Sequence, residues 1–277
     1  MKEIVIRDAA FSYDGKTDVF SGLNDTISSD EIFCILGPNG IGKSTLLKAI
    51  LNLHKLKSGS ICLDGKNVTA YRPAELARVL AYIPQTYSLA FPYKVLDMVL
   101  MGRMPYLNSM ARPTPEDYEK CGRAIEILGL RDLADRPCTQ LSGGQLQLVM
   151  LARAIAQEAE FIILDEPTSH LDYGKQMVTL EMIREMKARG VGIIMTTHDP
   201  DHAFMVCDKA AVMAKGHFIA VGKPDDVVTE ENLRTAYGVD VRLITYRDEN
   251  GREQKTCVPG SRGSRETLFG PAAGSPA

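Results

Sequence analysis

No stretch of this sequence carries the roughly 20 consecutive apolar residues that an α-helix needs to cross a bilayer, so we expect no membrane-spanning segment. The N-terminus, Met1-Lys2-Glu3-Ile4, passes straight into a strand-like pattern and lacks the apolar region of a signal peptide. The net charge of −3 and the pI near 6.0 offer no basic surface to a polyanion. We therefore expect a cytoplasmic protein that has no nucleic-acid partner.

Cysteine pairs at metal-binding spacing are also absent. The 277 residues hold six scattered cysteines without any C-x-x-C pair, at positions 34, 62, 121, 138, 207 and 257. This pattern predicts reduced, mostly small apolar side chains rather than a disulfide framework or a cysteine metal site. No internal repeat is visible, so a chain of this length is expected to hold one copy of its functional unit, as one large domain or two unequal lobes.

A glycine-rich segment behind an apolar strand predicts a phosphate-binding loop. The strand-like run Ile32–Leu36 is apolar throughout, which is typical of a strand buried on both faces. A helical pattern follows this strand. The loop between strand and helix, together with the first helical residues, consists of Gly37, Pro38, Asn39, Gly40, Ile41, Gly42, Lys43, Ser44 and Thr45. The pattern G-x-x-x-x-G-K-[ST] in this context predicts a P-loop, in which Lys43 reaches the β- and γ-phosphates and Ser44 is a ligand of Mg²⁺. A glycine turn that merely ends in Lys-Ser is the alternative.

Two carboxylates follow a second apolar strand. The run Phe161–Leu164 is followed directly by Asp165-Glu166. Open parallel sheets in α/β proteins bind ligands at the carboxyl ends of their strands. Asp165 is predicted to hold Mg²⁺ through water. Glu166 is predicted to act as general base, or at least to polarise the attacking water. The alternative is that one of these acids only caps a helix that starts after Pro167.

A third segment, Leu141-Ser142-Gly143-Gly144-Gln145, stands before an apolar helical pattern. Ser142 and Gln145 fit a helix capping box, which needs no ligand. The two glycines cost roughly 1 kcal/mol each relative to alanine in a helix. This cost is explained where an anion approaches the N–H groups at a helix N-terminus. The segment therefore predicts a second phosphate-binding element.

Together these motifs resemble the ATP-binding-cassette (ABC) ATPase family, over about residues 1–245. In that family the LSGGQ segment of one subunit closes over ATP that is held by the P-loop of a second subunit. The resemblance implies an ATP-hydrolysing homodimer with shared sites. It also implies that Tyr13 stacks on adenine, that Gln85 contacts Mg²⁺ or the lytic water, that His198 contacts the γ-phosphate, and that Asp172 touches the opposite subunit's site.

Some of these residues have other readings. A strand aromatic such as Tyr13 more often packs in a core, and a lone glutamine such as Gln85 is usually polar surface. His198 and His202 are four residues apart with acids nearby, which would suit a metal ion. Pro200 argues against one continuous helical face that carries both histidines. His202 is otherwise expected at the surface.

The expected fold is α/β: a P-loop NTPase core with a mostly parallel sheet, an N-terminal antiparallel β subdomain and an inserted helical subdomain. The ABC ATPase domain is placed at residues 1–238 and its helical subdomain at about 90–157, where Thr114 starts a helix that Gly129 stops. Residues 79–83 and 191–195 are further buried-strand candidates.

Short strand-like segments open and close the chain. Residues 4–6 and 19–20 are strand-like, with breaks predicted at 14–15 and 21–22. Residues 239–258 are predicted to form a small β extension, a hairpin with its turn at 249–251. Residues 259–277 are rich in small residues and proline, and are predicted to be a disordered tail.

Residues 95–107 and 196–203 are similar to segments of ABC importers of iron–siderophore, haem and cobalamin. This resemblance implies a peripheral subunit at the cytoplasmic face of the cell membrane, bound to polytopic permease subunits and linked through them to an extracytoplasmic substrate-binding protein. Molybdate or tungstate importers share these features. A soluble iron–sulfur-assembly ATPase is the alternative outside transport. The sequence departs from many family members at Leu146 and Leu148, where those carry basic residues, so the contacts of this helix are expected to differ.

Overall fold

The computed structural model describes residues 2–87, 89–107, 111–169, 171–248, 251 and 253–260. The hairpin-turn residues Glu249 and Asn250 and the tail from residue 261 lie outside the described residues. The strands are β1 (Glu3–Ser12), β2 (Asp18–Ser28), β3 (Ile32–Leu36), β4 (Ser58–Leu63), β5 (Lys66–Asn67), β6 (Leu80–Ile83), β7 (Phe161–Leu164), β8 (Gly192–Thr197), β9 (Lys209–Ala214), β10 (His217–Gly222), β11 (Val241–Arg247) and β12 (Glu253–Pro259).

Helices connect these strands and fill the long segment between β6 and β7. They are α1 (Lys43–Ile50), α2 (Pro73–Ala77), α3 (Val95–Leu100), α4 (Pro115–Ile127), α5 (Gly143–Ala156), α6 (Tyr173–Ala188), α7 (Pro200–Val206), α8 (Pro224–Val227) and α9 (Glu230–Tyr237). Short 3₁₀ helices lie at Val68–Ala70, Met101–Tyr106, Arg131–Leu133 and Cys138–Gln140.

The central sheet has the strand order β10-β9-β3-β8-β7-β6, and all of its neighbouring pairs are parallel except β10 with β9. Its middle strand β3 is buried on both faces, because Cys34 packs into one apolar cluster while Phe33 and Ile35 pack into the other. The predicted α/β class with a mostly parallel sheet is confirmed. β8 continues past the predicted strand and includes Thr196 and Thr197, both of which are buried.

A separate antiparallel sheet, in the order β2-β1-β4-β5, carries the N-terminal part of the chain. The predicted break at Ser21-Gly22 is wrong, because β2 runs without interruption from Asp18 to Ser28. Gly22 instead takes a positive φ of 61° where the pairing with β1 shifts register. A glycine at such a point makes a β-bulge, which bends a strand without ending it.

The helical segment between β6 and β7 depends on a buried charge cluster. Arg103 is 4% exposed, and its guanidinium donates to Asp117 at 2.9 Å, to the Ala156 carbonyl oxygen at 2.9 Å and to Glu158 at 3.0 Å. Asp117 also accepts from the Thr114 N–H, which completes the predicted cap of α4. These contacts connect the 3₁₀ helix after α3, the start of α4 and the end of α5.

Replacing Asp117 with alanine should therefore lower the free energy of unfolding by about 3 kcal/mol, because it leaves a buried guanidinium short of a partner and removes the acid half of the α4 capping box. Urea unfolding measures this. Hydrogen bonds from Thr114 and Arg103 lower the pKa of Asp117, so its contribution is complete above the unfolded pKa. The difference between the variant and the wild type should shrink as the pH falls below about 4.

Glu119→Ala is the matched control, because it removes an exposed ion pair of the same helix, Arg123–Glu119 at 2.7 Å. It should change the unfolding free energy by less than about 0.5 kcal/mol. An equal decrease in the unfolding free energy of the two variants would show that the Arg103 cluster stabilises the fold no more than an exposed ion pair does.

Candidate functional site

Four predicted segments meet at one edge of the central sheet. The glycine loop follows β3, His198 follows β8, Asp165-Glu166 follows β7, and Gln85 lies in the loop after β6. These strands are parallel neighbours in the sheet, so their carboxyl ends lie side by side. The fold therefore gathers side chains that are far apart in the sequence.

The conformation of the glycine loop explains its composition. A side chain on Gly37 would place a Cβ 2.7 Å from the Met213 carbonyl oxygen, which belongs to β9. Gly40 and Gly42 have φ angles of 80° and 109°, which L-residues rarely adopt. Gly42 directly precedes α1, so the loop presents backbone N–H groups at the positive end of a helix. This is an anion-binding arrangement.

Lys43, the first residue of α1, is almost completely buried. Its ammonium donates to the carbonyl oxygens of Gly37 at 2.8 Å and Pro38 at 3.0 Å. It also forms an ion pair with Glu166, with 3.1 Å between Nζ and Oε1. Lys43 is 4% exposed and Glu166 6% exposed. The P-loop and the end of β7 are thus joined by a desolvated pair of opposite charges.

Glu166 is the point on which the site converges. Its other carboxylate oxygen lies 3.1 Å from Gln85 Nε2, which donates to it, and 3.2 Å from His198 Nδ1. Its backbone takes a positive φ of 49°, which is strained for a residue with a side chain. The Thr196 hydroxyl accepts a hydrogen bond from the Glu166 N–H at 2.9 Å and so holds this conformation.

Asp165 is surrounded by hydroxyl groups. Ser44 and Thr196 each donate to its Oδ1 at 2.8 Å, and the Tyr82 hydroxyl lies 3.4 Å from Oδ2. Burial and the charge of Asp165 raise the pKa of Tyr82, which keeps that hydroxyl protonated. The hydroxyl of Ser44 and the carboxylate of Asp165 are hard oxygen donors, and such donors fit Mg²⁺.

Thr196 and Tyr82 are site residues that the motifs did not reveal. The Thr196 hydroxyl forms hydrogen bonds with the Asp165 carboxylate and with the Glu166 N–H, although Thr196 is 31 residues from Asp165 in the sequence. The available signal was a polar residue at the end of an otherwise apolar strand. Tyr82 gave no signal, because an aromatic residue in a strand is ordinary core composition.

Tyr13 lies just after β1 and is 68% exposed, so the alternative of a core aromatic is wrong. The edge contact between the Tyr13 and Phe11 rings, at 4.9 Å between centroids, orients the side chain. The Tyr13 hydroxyl is 3.2 Å from the Thr45 hydroxyl in α1. The ring therefore stands beside the P-loop helix, where a flat base could stack on it.

The predicted capping box at the start of α5 is confirmed. The Gln145 N–H donates to the Ser142 hydroxyl at 3.3 Å, and the Ser142 N–H donates to the Gln145 side chain at 3.0 Å. Gly143 borders open space, whereas a Cβ on Gly144 would lie 2.5 Å from Cδ of Lys175. Lys175 belongs to the helix that Asp172 caps. The Lys175 side chain is half-exposed and flexible, so it could move aside, and packing does not account for either glycine.

His202 is buried, so its expected position at the surface is wrong. Its Nδ1 lies 3.1 Å from the Thr197 hydroxyl and 3.4 Å from the Thr168 hydroxyl, which replace water around the imidazole. Burial lowers the pKa of His202. His198 precedes α7 and His202 lies within it, so the two are not on one helical face.

Metal-binding clusters of cysteine, histidine or acidic residues were also sought. In the parts of the chain that the structure describes, no group of three or more such side chains could hold a metal ion. All six cysteines are free.

None of the helices in the described ranges is both long and apolar enough to cross a membrane.

A parallel sheet, a glycine loop that opens a helix, and a buried lysine beside an acid pair define a P-loop nucleotide-binding protein. The comparison with known families makes this specific. The ABC transporter family model matches residues 20–169. The chain belongs to this family; it is an ATP-binding domain and an ATPase.

Individual relatives match most of the chain. An ABC transporter ATP-binding protein of Haemophilus influenzae is 40% identical over 248 residues, covering 90% of this chain and 94% of the relative. The molybdate import ATP-binding protein MolC of the same organism is 35% identical, covering 85% of this chain and 88% of the relative. The hemin import ATP-binding protein HmuV of Deinococcus radiodurans is 37% identical, covering 87% of this chain and 92% of the relative.

Solved structures agree with the fold. A metal-chelate type ABC transporter in an inward-facing conformation superposes with a TM-score of 0.84 at 32% identity. The match covers 95% of this chain and 99% of that one. The chain therefore shares its fold, with the predicted antiparallel N-terminal sheet and mostly parallel core, with that structure.

Proposed function

We propose that this chain hydrolyses ATP at a site shared between two copies of itself and thereby drives a membrane importer. The observation that carries the hydrolytic part is the convergence of Lys43, Gln85 and His198 on the carboxylate of Glu166. Similarity to import ATP-binding proteins along most of the chain supports the importer part.

In this proposal the P-loop N–H groups and Lys43 bind the β- and γ-phosphates, and Tyr13 stacks on the adenine. Ser44 and Asp165 hold Mg²⁺, with Gln85 as a further ligand. The ion neutralises phosphate charge when it is bound. Glu166 accepts the proton of the attacking water, while Gln85 and His198 hold the Glu166 carboxylate in position.

The second copy completes the site. The capped N-terminus of α5 presents its N–H groups and the positive end of the helix dipole to the γ-phosphate that the opposite P-loop holds. This element consists of Leu141, Ser142, Gly143, Gly144 and Gln145. Asp172 accepts a hydrogen bond from the N–H of Lys175, whose side chain lies beside Gly144. ATP thus acts as the link between two copies, and its hydrolysis releases them.

Glu166→Gln should keep ATP binding and lower turnover by at least about 100-fold, because the amide cannot accept the proton. Size-exclusion chromatography with ATP should then show a stable dimer. Glu160→Gln, at the other end of β7, should retain wild-type turnover. Adding Ser142→Arg to Glu166→Gln should abolish the dimer and leave ATP binding in place. A dimer that survives this addition would contradict the shared site.

A groove beside the site is the proposed contact with the permease. It has a volume of about 660 Å³ and is lined by residues of α2, by Tyr82 and Pro84 at the end of β6, and by Leu53 and Met104. Leu53 and Met104 are 64% and 63% exposed. Because Gln85 follows Pro84 directly, a helix of the membrane subunit in this groove would sense changes at the Gln85–Glu166 contact.

Leu53→Glu and Met104→Glu should each prevent recovery of the tagged chain with a polytopic membrane protein from detergent-solubilised membranes, because a charge in an apolar contact is costly. Mass spectrometry identifies the captured protein, and ATP binding should be unchanged. Ile219→Glu, on β10, is the control and should preserve the capture. Recovery of the wild-type chain only with soluble partners would favour an assembly ATPase over an importer.

We propose further that the cargo is a metal chelate of the iron–siderophore, haem or cobalamin type, selected by an extracytoplasmic binding protein and the permease. The hemin import relative and the metal-chelate transporter structure support this class. The molybdate import relative of similar identity is the observation behind the second candidate, molybdate or tungstate.

Cells whose chromosomal copy carries Glu166→Gln should lose ATP-driven uptake of a radiolabelled iron chelate or cobalamin and keep uptake of labelled molybdate. The reason is that the stalled ATPase stops only the permease to which it is bound. Cells that carry Glu160→Gln should take up both labels. Loss of molybdate uptake alone would replace the metal-chelate proposal by the molybdate one.

A further inference from the structure

The C-terminal segment from α9 to β12 returns to the loop that carries His198. The hydroxyl of Tyr237, the last residue of α9, donates a hydrogen bond of 2.8 Å to the carbonyl oxygen of His198. Tyr237 is half-buried, and burial raises its pKa, so the hydroxyl remains a donor. The histidine that contacts Glu166 thus has its backbone held from outside the central sheet.

A second connection comes from β12. Asp201 stands in the first turn of α7, which begins two residues after His198. Its carboxylate accepts from the Thr256 hydroxyl at 2.8 Å and from the Cys257 N–H at 2.7 Å. The hairpin of β11 and β12 is therefore bonded to the helix that follows the histidine, while Tyr237 is bonded to the histidine itself.

The same segment is anchored in the main core. Tyr237, Leu243 and Cys257 pack against the apolar cluster on one face of the central sheet. Lys255 adds an ion pair with Asp225 at 2.8 Å. Because these anchors lie in separate elements, the segment can act as a fixed support rather than as a mobile tail.

The His198 ring needs such support, because it has little of its own. Its side chain is 49% exposed, and the described structure gives it one hydrogen bond, the contact of Nδ1 with Glu166. Within the loop, Thr197 accepts from the Asp199 N–H at 3.1 Å. The direction of the imidazole therefore depends on where the backbone at residue 198 is held.

We propose that Tyr237 is a positioning residue for ATP hydrolysis, which holds the His198 backbone so that the imidazole meets Glu166. The β11–β12 hairpin supports the same loop through Asp201. The inference rests on the proposed role of His198 in hydrolysis, and it assigns a task to α9 and to strands β11 and β12, for which the sequence motifs indicated none.

The test is steady-state ATP hydrolysis by the full chain with Tyr237→Phe, which removes the hydroxyl and keeps the ring. Loss of one hydrogen bond should lower kcat by about three- to tenfold and leave KM for ATP unchanged. The thermal unfolding midpoint should stay within about 2 °C of the wild type. Tyr246→Phe, a half-exposed tyrosine of β11, should leave kcat unchanged.

A double-mutant cycle separates positioning from general stability. In a His198→Ala background, Tyr237→Phe should produce no further fall in kcat, because the side chain that it positions is gone. Thr256→Val should lower kcat in the same direction and to a smaller degree. If Tyr237→Phe lowers kcat equally in both backgrounds, or has no effect in the wild type, the positioning role is wrong. If His198→Ala itself hydrolyses ATP normally, the proposed role of His198 fails first.

Discussion

The parallel alignment of β6, β7, β8 and β3 is the constraint on which the rest of this site depends. Parallel strands end at the same edge, so the loops after them become neighbours whatever their distance in the chain. Gln85, Glu166, His198 and the P-loop each follow one of these strands. Direct pairing of β3 with β8 and of β8 with β7 brings the three central loops within side-chain reach of each other.

The second determinant is electrostatic. Burying a lysine and a glutamate costs several kcal/mol per ion, and here the cost is offset by their mutual attraction and by hydrogen bonds to both. Lys43 donates hydrogen bonds to two carbonyl oxygens of the loop. The Glu166 carboxylate accepts one from Gln85 and contacts His198 Nδ1. A desolvated site of this kind strengthens every charge interaction inside it. The same burial would strengthen the attraction between Lys43 and a phosphate group.

Segments outside the central sheet also contribute to this site. The helical segment holds its charge cluster around Arg103 and presents the capped start of α5 on its surface. On another side, α9 and the β11–β12 hairpin contact the loop of His198. The groove lined by Leu53 and Met104 lies between the core and the helical segment.

The sequence by itself determined the features that depend on neighbours along the chain. The P-loop, the acid pair after β7, the caps at Thr114 and Ser142, and the apolar strands all follow from short-range geometry and periodicity. Resemblance to a family supplied Gln85 and His198. Only the tertiary structure decided the contacts between distant segments: the bonds of Thr196 to the acid pair, Lys175 beside Gly144, the burial of His202 between two threonines, and Tyr237 at His198. Such contacts depend on where strands and helices pack in space, and residues that meet only there leave no pattern along the chain.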